Sequence, residues 1–144
     1  MAIILSQFFQ SCFVLPGRLQ NHKCQESFLN EFKQIFDSQQ AKNASNVLYV
    51  FVCEKKIPRV KSKSSVVYIG KTEQNLRSRW LKYGERLCSD YNWPFFSYVI
   101  AHYGKIKIAF LPVQSLKQGE TDLLKDYYKK HKEMPPKNSQ RWKR

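Results

Sequence analysis

The chain is punctuated by apolar runs of two different periods. Val47-Leu48-Tyr49-Val50-Phe51-Val52-Cys53 is almost unbroken in its apolarity, the pattern of a strand covered on both faces. Val66-Val67-Tyr68-Ile69 is β-branched or aromatic throughout and predicts a second strand. Gly70 then reads as a turn, and Leu76, Trp80, Tyr83 and Leu87 recur at helical spacing. Upstream, Phe28, Leu29, Phe32, Ile35 and Phe36 put one apolar face on a helix over Glu26–Gln39, with a polar loop from Ala41 to Asn46. Downstream, Pro94 to Gly104 predicts a helix with proline at its start and glycine at its end. Ile106–Val113 predicts a third strand. Gly119–Lys132, carrying Leu123, Leu124 and Tyr127 and stopped by Pro135-Pro136, predicts the last helix. Phe8, Phe9, Phe13, Val14 and Leu15 form an apolar N-terminal arm that packs on the rest, and Pro16-Gly17 marks a turn. The order is helix, strand, strand, helix, helix, strand, helix, an α+β chain built as a small sheet flanked by helices.

Charge adds a direction to this picture. The net charge is +14, but residues 1–46 carry four Lys/Arg against three Asp/Glu, so +13 of it falls on residues 47–144. A field of that sign draws polyanions, nucleic acid first among them. An acidic membrane surface is the rival, yet no basic amphipathic helix with a strong apolar face stands out. Neither a signal peptide nor a membrane span is expected from the apolar but serine- and glutamine-bearing N-terminus. Lys55, Lys56, Arg59, Lys61 and Lys63 crowd the connector Glu54–Ser65, which reads either as a solvated hairpin loop or as a phosphate-contacting one. Cys12, Cys24, Cys53 and Cys88 show neither CxxC spacing nor a zinc cluster. Cys53 and Cys88 read as small core residues, and a reducing, intracellular setting is expected.

Tyr68-Ile69-Gly70 followed by Asn75-Leu76 and Arg79 resembles the second half of the GIY-YIG nuclease signature, and Val47-Leu48-Tyr49 resembles the first half without its glycine. The resemblance extends through His102-Tyr103-Gly104 and the strand after it. It continues into Glu120-Thr121-Asp122-Leu123-Leu124, similar to the family's helix with its metal-binding glutamate, and Pro136-Lys137-Asn138, similar to its closing proline–asparagine element. It covers roughly residues 46–138, about two thirds of the chain. Membership would imply a three-stranded, mainly antiparallel sheet over residues 46–138; residues 1–45, which match no part of the family pattern, read as a helical extension packed on it and 139–144 as a basic tail. Phage intron-encoded homing endonucleases carry domains of this kind.

The resemblance implies hydrolysis of a DNA phosphodiester with one divalent cation, Mg2+ or Mn2+. Glu120 would hold the ion: magnesium accepts few carboxylates and keeps several waters, and it acts as a Lewis acid on the reacting phosphate. Read without the family, Glu120 is a helix N-terminal carboxylate facing the dipole. Arg79 offers a planar, permanently charged fork to phosphate oxygens. The family favours Tyr49 as general base and Tyr68 as the group that orients water. An unperturbed phenol titrates near ~10, so Lys71, Arg79 and the metal are expected to lower it. Read as packing, both tyrosines are core aromatics. Lys71, Tyr83 and Asn138 join the basic connector as candidate substrate contacts, while His102 reads as structural. The expected activity is therefore a metal-dependent endonuclease acting on duplex or branched DNA, with a partner protein or homodimer supplying specificity. The alternative is a module of the same fold that binds nucleic acid without cutting it. A third reading, aromatic stacking on RNA, is opposed by the core spacing of most aromatics.

Overall fold

The computed structural model describes residues 2–81 and 92–138. Tyr83, Leu87, Cys88 and the tail 139–144 lie outside them. The elements are α1 (Leu5–Ser11), β1 (Phe13–Val14), α2 (Gln25–Phe36), α3 (Gln39–Asn43), β2 (Val47–Pro58), β3 (Lys63–Thr72), α4 (Leu76–Trp80), α5 (Trp93–Tyr103), β4 (Lys107–Pro112) and α6 (Leu116–His131). The sheet is antiparallel throughout and has four strands, in the order β1-β4-β2-β3. The fourth is the short β1, whose Phe13 and Val14 pair with Phe110 and Ala109. Residues 1–45 are thus woven into the sheet as well as packed on it, and Leu19 extends the contact by bridging to Ile106. The polar loop expected after α2 is partly helical: Ser38 caps α3 by accepting from Ala41 N–H.

β2 lies between β4 and β3, which explains its continuous apolarity. Tyr49, Phe51 and Cys53 face a core built with α2–α5, while Leu48, Val50 and Val52 face a second core under α1 and α6. α1 is tied to α6 by backbone donors, Ile3 N–H to Asp122 Oδ2 and Leu5 N–H to Asp126 Oδ2 at 2.9 Å. α5 has Pro94 in its first turn and ends on Gly104 at φ 92°, a left-handed position that favours glycine. Cys12, Cys24 and Cys53 are free thiols. No helix among the described residues is long and apolar enough to cross a membrane.

The basic connector is not a loop. β2 and β3 run through most of it as a hairpin, with non-strand residues only from Arg59 to Ser62. Charged residues conceal a strand here because the arm leaves Glu54, Lys55 and Lys56 exposed to solvent. Within the hairpin the register shifts: Phe51 pairs with Tyr68 but Val52 with Val66. Val67 is the extra residue, a β-bulge. Strict alternation would send Tyr68 to the face opposite Val67. The bulge instead leaves both against the α2–α5 core, the side on which Tyr49 lies.

Candidate active site

The site forms on β3, an outer strand of the sheet. Tyr49 sits opposite Gly70 in the register, and its ring lies flat over that glycine. A Cβ on Gly70 would stand 2.5 Å from Cε1, Cζ and Oη of Tyr49. Gly70 is therefore not the predicted turn. β3 continues through it to Thr72, and the missing side chain is the space the phenol occupies.

Tyr49 is 1% exposed. Its ring centroid is 5.6 Å from Trp80, 6.0 Å from Tyr68 and 6.2 Å from Phe51, an edge-and-tilt arrangement in which each pair adds about 0.5–1.5 kcal/mol beyond area burial. Trp80 is placed by α4. Asn75 caps this helix through its side chain, accepting from Ser78 N–H at 2.7 Å, and Leu76 and Trp80 are buried one turn apart. Arg79 precedes Trp80, and its guanidinium carbon lies 4.9 Å from the indole centroid, within cation–π range.

Alternation carries Lys71 to the other face, where its Nζ donates to Glu120 Oε1 on α6 at 3.1 Å. α6 comes close here because residue 119 is glycine: a Cβ there would stand 2.9 Å from Leu48 Cδ1. Leu48 is also the register partner of Lys71, so one residue fixes both ends of the ion pair. Groups from both faces of the sheet thereby meet at its rim. The charges of Arg79 and Glu120 bear on both phenols, that of Arg79 favouring the phenolate and that of Glu120 opposing it.

The balance on the phenols adds to the expected lowering by neighbouring cations a larger influence of opposite sign. Burial is the largest influence on each and pushes both upward. For Tyr68, Arg79 and Lys71 oppose that push as expected, but do not overcome it. The Tyr68 phenol also opposes ionisation of Tyr49, the two ring centroids being 6.0 Å apart. Tyr68, partly exposed, is the phenol that can reach water; Tyr49 is sealed behind it.

Asn138 lies along the outer side of β3. Its Oδ1 accepts from Ile69 N–H and its Nδ2 donates to Ile69 C=O, both at 2.9 Å, while Lys137 N–H donates to Val67 C=O. Both ends of this amide are thus committed to the Ile69 backbone, one residue from Tyr68. That makes Asn138 a brace for the strand carrying the phenol.

The hairpin cations divide. Lys55, Lys56, Lys61 and Lys63 are exposed. Arg59 is not available in the same way: its guanidinium donates to Glu133 Oε1 and Met134 C=O, each at 2.7 Å, and its side chain is 12% exposed. Lys61 N–H also donates to His131 C=O, pinning the turn to the end of α6. Lys63 is five residues from Tyr68 along β3, about 16 Å at the usual strand rise, so it is placed for a phosphate beyond the one seated at Tyr68.

The donor set suits one kind of metal site. No group of three or more His, Cys, Asp or Glu gathers among the described residues, so the local protein contribution is the Glu120 carboxylate, partly exposed at 25% of its side chain. A single carboxylate fits an ion such as Mg2+ that keeps its waters and takes substrate oxygens, and it is too few donors for structural zinc. The sequence pattern places Trp80 in an apolar helical stripe, Val67 in a strand and Gly119 at a helix start, but gives none of them a role in the site. A glycine inside a helical pattern was the available signal for Gly119.

Comparison of the chain with protein-family models, characterised proteins and solved structures returned no match.

Proposed function

We propose that this protein is a metal-dependent DNA endonuclease of the GIY-YIG kind. What supports the reading is that Arg79 and Glu120 both act electrostatically on Tyr49 and Tyr68, whose ring centroids lie 6.0 Å apart. Each group also has a packing or pairing role of its own, but together they are the residue types that phosphodiester hydrolysis can use as base, phosphate ligand and metal ligand.

In this mechanism Arg79 binds non-bridging oxygens of the scissile phosphate, held over Trp80 so that little freedom is lost on binding. Water attacks phosphorus from the Tyr68 side. Tyr68, in its phenolate form, takes the proton from that water as the new P–O bond forms and the bond to the leaving oxygen breaks. The Tyr49 hydroxyl would donate to the Tyr68 oxygen and steady its charge. This exchanges the roles expected from family resemblance: the accessible phenol is the base and the sealed one its support. A divalent ion held by Glu120 would supply Lewis-acid stabilisation of charge on the phosphate and leaving oxygen. The exposed lysines Lys55, Lys56, Lys61 and Lys63 would follow the duplex backbone beyond the scissile phosphate, adding salt-sensitive affinity.

Plasmid cleavage with Mg2+, with chelator and with Glu120→Ala tests the reading. Nicking or linearisation that chelator and substitution both abolish is expected. DNA retention with intact plasmid under every condition would refute the enzyme and leave a binding module.

A further inference from the structure

The carboxylate assigned to the metal already holds a cation. Lys71 Nζ lies 3.1 Å from Glu120 Oε1, with the two side chains 39% and 25% exposed. The backbone positions that carry the pair are both tied to Leu48. Lys71 is fixed by its sheet register opposite Leu48, and Glu120 follows Gly119, which packs on the same Leu48 side chain. An ammonium and a hydrated divalent ion cannot both sit at hydrogen-bond distance from one carboxylate oxygen without repelling each other.

We propose that Lys71 is a resident counter-ion of Glu120 in the DNA-free protein, displaced when a phosphate enters the site; the inference rests on the nuclease reading. The arriving phosphate offers the ammonium a new anionic partner across the rim, and Glu120 is released to the metal. Each ligand then prepares the site for the other. Linkage requires the effect to be mutual: phosphate improves metal affinity by the factor by which metal improves phosphate affinity. Free protein consequently binds divalent ions poorly, and metal loading is tied to the presence of a backbone to cut.

The test is Mn2+ binding to the full-length, DNA-free protein, followed by the electron paramagnetic resonance of free Mn2+. Removing the ammonium with Lys71→Met should tighten binding about tenfold, on the order expected for lifting a partly screened contact charge. Lys71→Gln should do the same and serves if the methionine variant folds poorly. Lys117→Met removes an equal charge one helical turn before Glu120 and should change affinity less than twofold, which separates a contact from a general field. Glu120→Gln should abolish the gain in the Lys71→Met background. Glu120-dependent Mn2+ binding that Lys71→Met leaves unchanged or weakens would overturn this proposal while leaving the nuclease standing. Absence of any Glu120-dependent binding in either background would likewise overturn this proposal, and plasmid cleavage that persists with Mg2+ in Glu120→Ala would overturn the nuclease reading beneath it.

Discussion

Gly70→Ala gives a quantitative test of how the site is assembled. The added methyl would meet three Tyr49 atoms at 2.5 Å, where ordinary contact begins near 3.4 Å, so about 0.9 Å of separation must be found. Tyr49 cannot supply it cheaply, since Phe51, Tyr68 and Trp80 surround its ring and it is 1% exposed. The backbone is equally constrained, because Gly70 is paired to Tyr49 in the ladder. Overpacking of this kind costs about 1–3 kcal/mol. Urea unfolding of the wild type, Gly70→Ala, Tyr49→Val and the double variant measures it. The smaller valine relieves the clash, so the methyl should cost little in that background, giving a coupling of at least about 1 kcal/mol. Cleavage by Gly70→Ala should fall by more than tenfold at a temperature where it remains folded, because Tyr49 and the Tyr68 oxygen move together. A loss of stability below about 0.5 kcal/mol, or costs that simply add across the cycle, would refute the ring-over-glycine account.

Two further outcomes follow from the geometry. Arg59→Ala should destabilise by about 1–3 kcal/mol, since it strips Glu133 and the Met134 carbonyl of a charged donor. Its effect on DNA affinity should be smaller than that of Lys55→Ala with Lys56→Ala, read by fluorescence anisotropy at two salt concentrations; the reverse ranking would make Arg59 a phosphate contact. The cleavage rate should rise about tenfold per pH unit from neutrality toward ~9, because the working base is a phenolate and burial holds Tyr68 above the ordinary value near ~10. Stability should move the other way. A folded phenol that keeps its proton while the unfolded one loses it makes the unfolded state the weaker proton binder, so stability is full below ~10 and declines as pH rises above that. A rate already flat at pH 7 would exclude Tyr68 as the base.

The sequence shows some of these features and hides others for physical reasons. β2 is legible because a strand covered on both faces has no polar positions to interrupt it, and α5 because Pro94 and Gly104 mark its ends locally. The rest depends on partners far along the chain. Gly70 signals that a Cβ is unwelcome, but the obstacle is a ring contributed by residue 49 and not a change of chain direction. The bulge at Val67 leaves no mark in composition, yet it decides which face Tyr68 occupies. α1 takes its first-turn acceptors from Asp122 and Asp126, more than a hundred residues away. Arg59 looks like its lysine neighbours until Glu133 is seen beside it. Counting charges around the phenols gives the right signs for Lys71 and Arg79 but omits desolvation, which a linear sequence does not display and which is the larger influence.

The amide of Asn138 stands in for a peptide group of a neighbouring strand, presenting one acceptor and one donor to Ile69. With Lys137 occupying the Val67 carbonyl, the outermost strand is denied the open ladder through which sheets join between molecules. At the opposite margin β1 is only two residues long, too short to template a foreign strand. A chain cut back to Met134 would lose the cover over β3, and self-association through that strand would then compete with folding at the very place where Tyr68 must remain accessible to a phosphate.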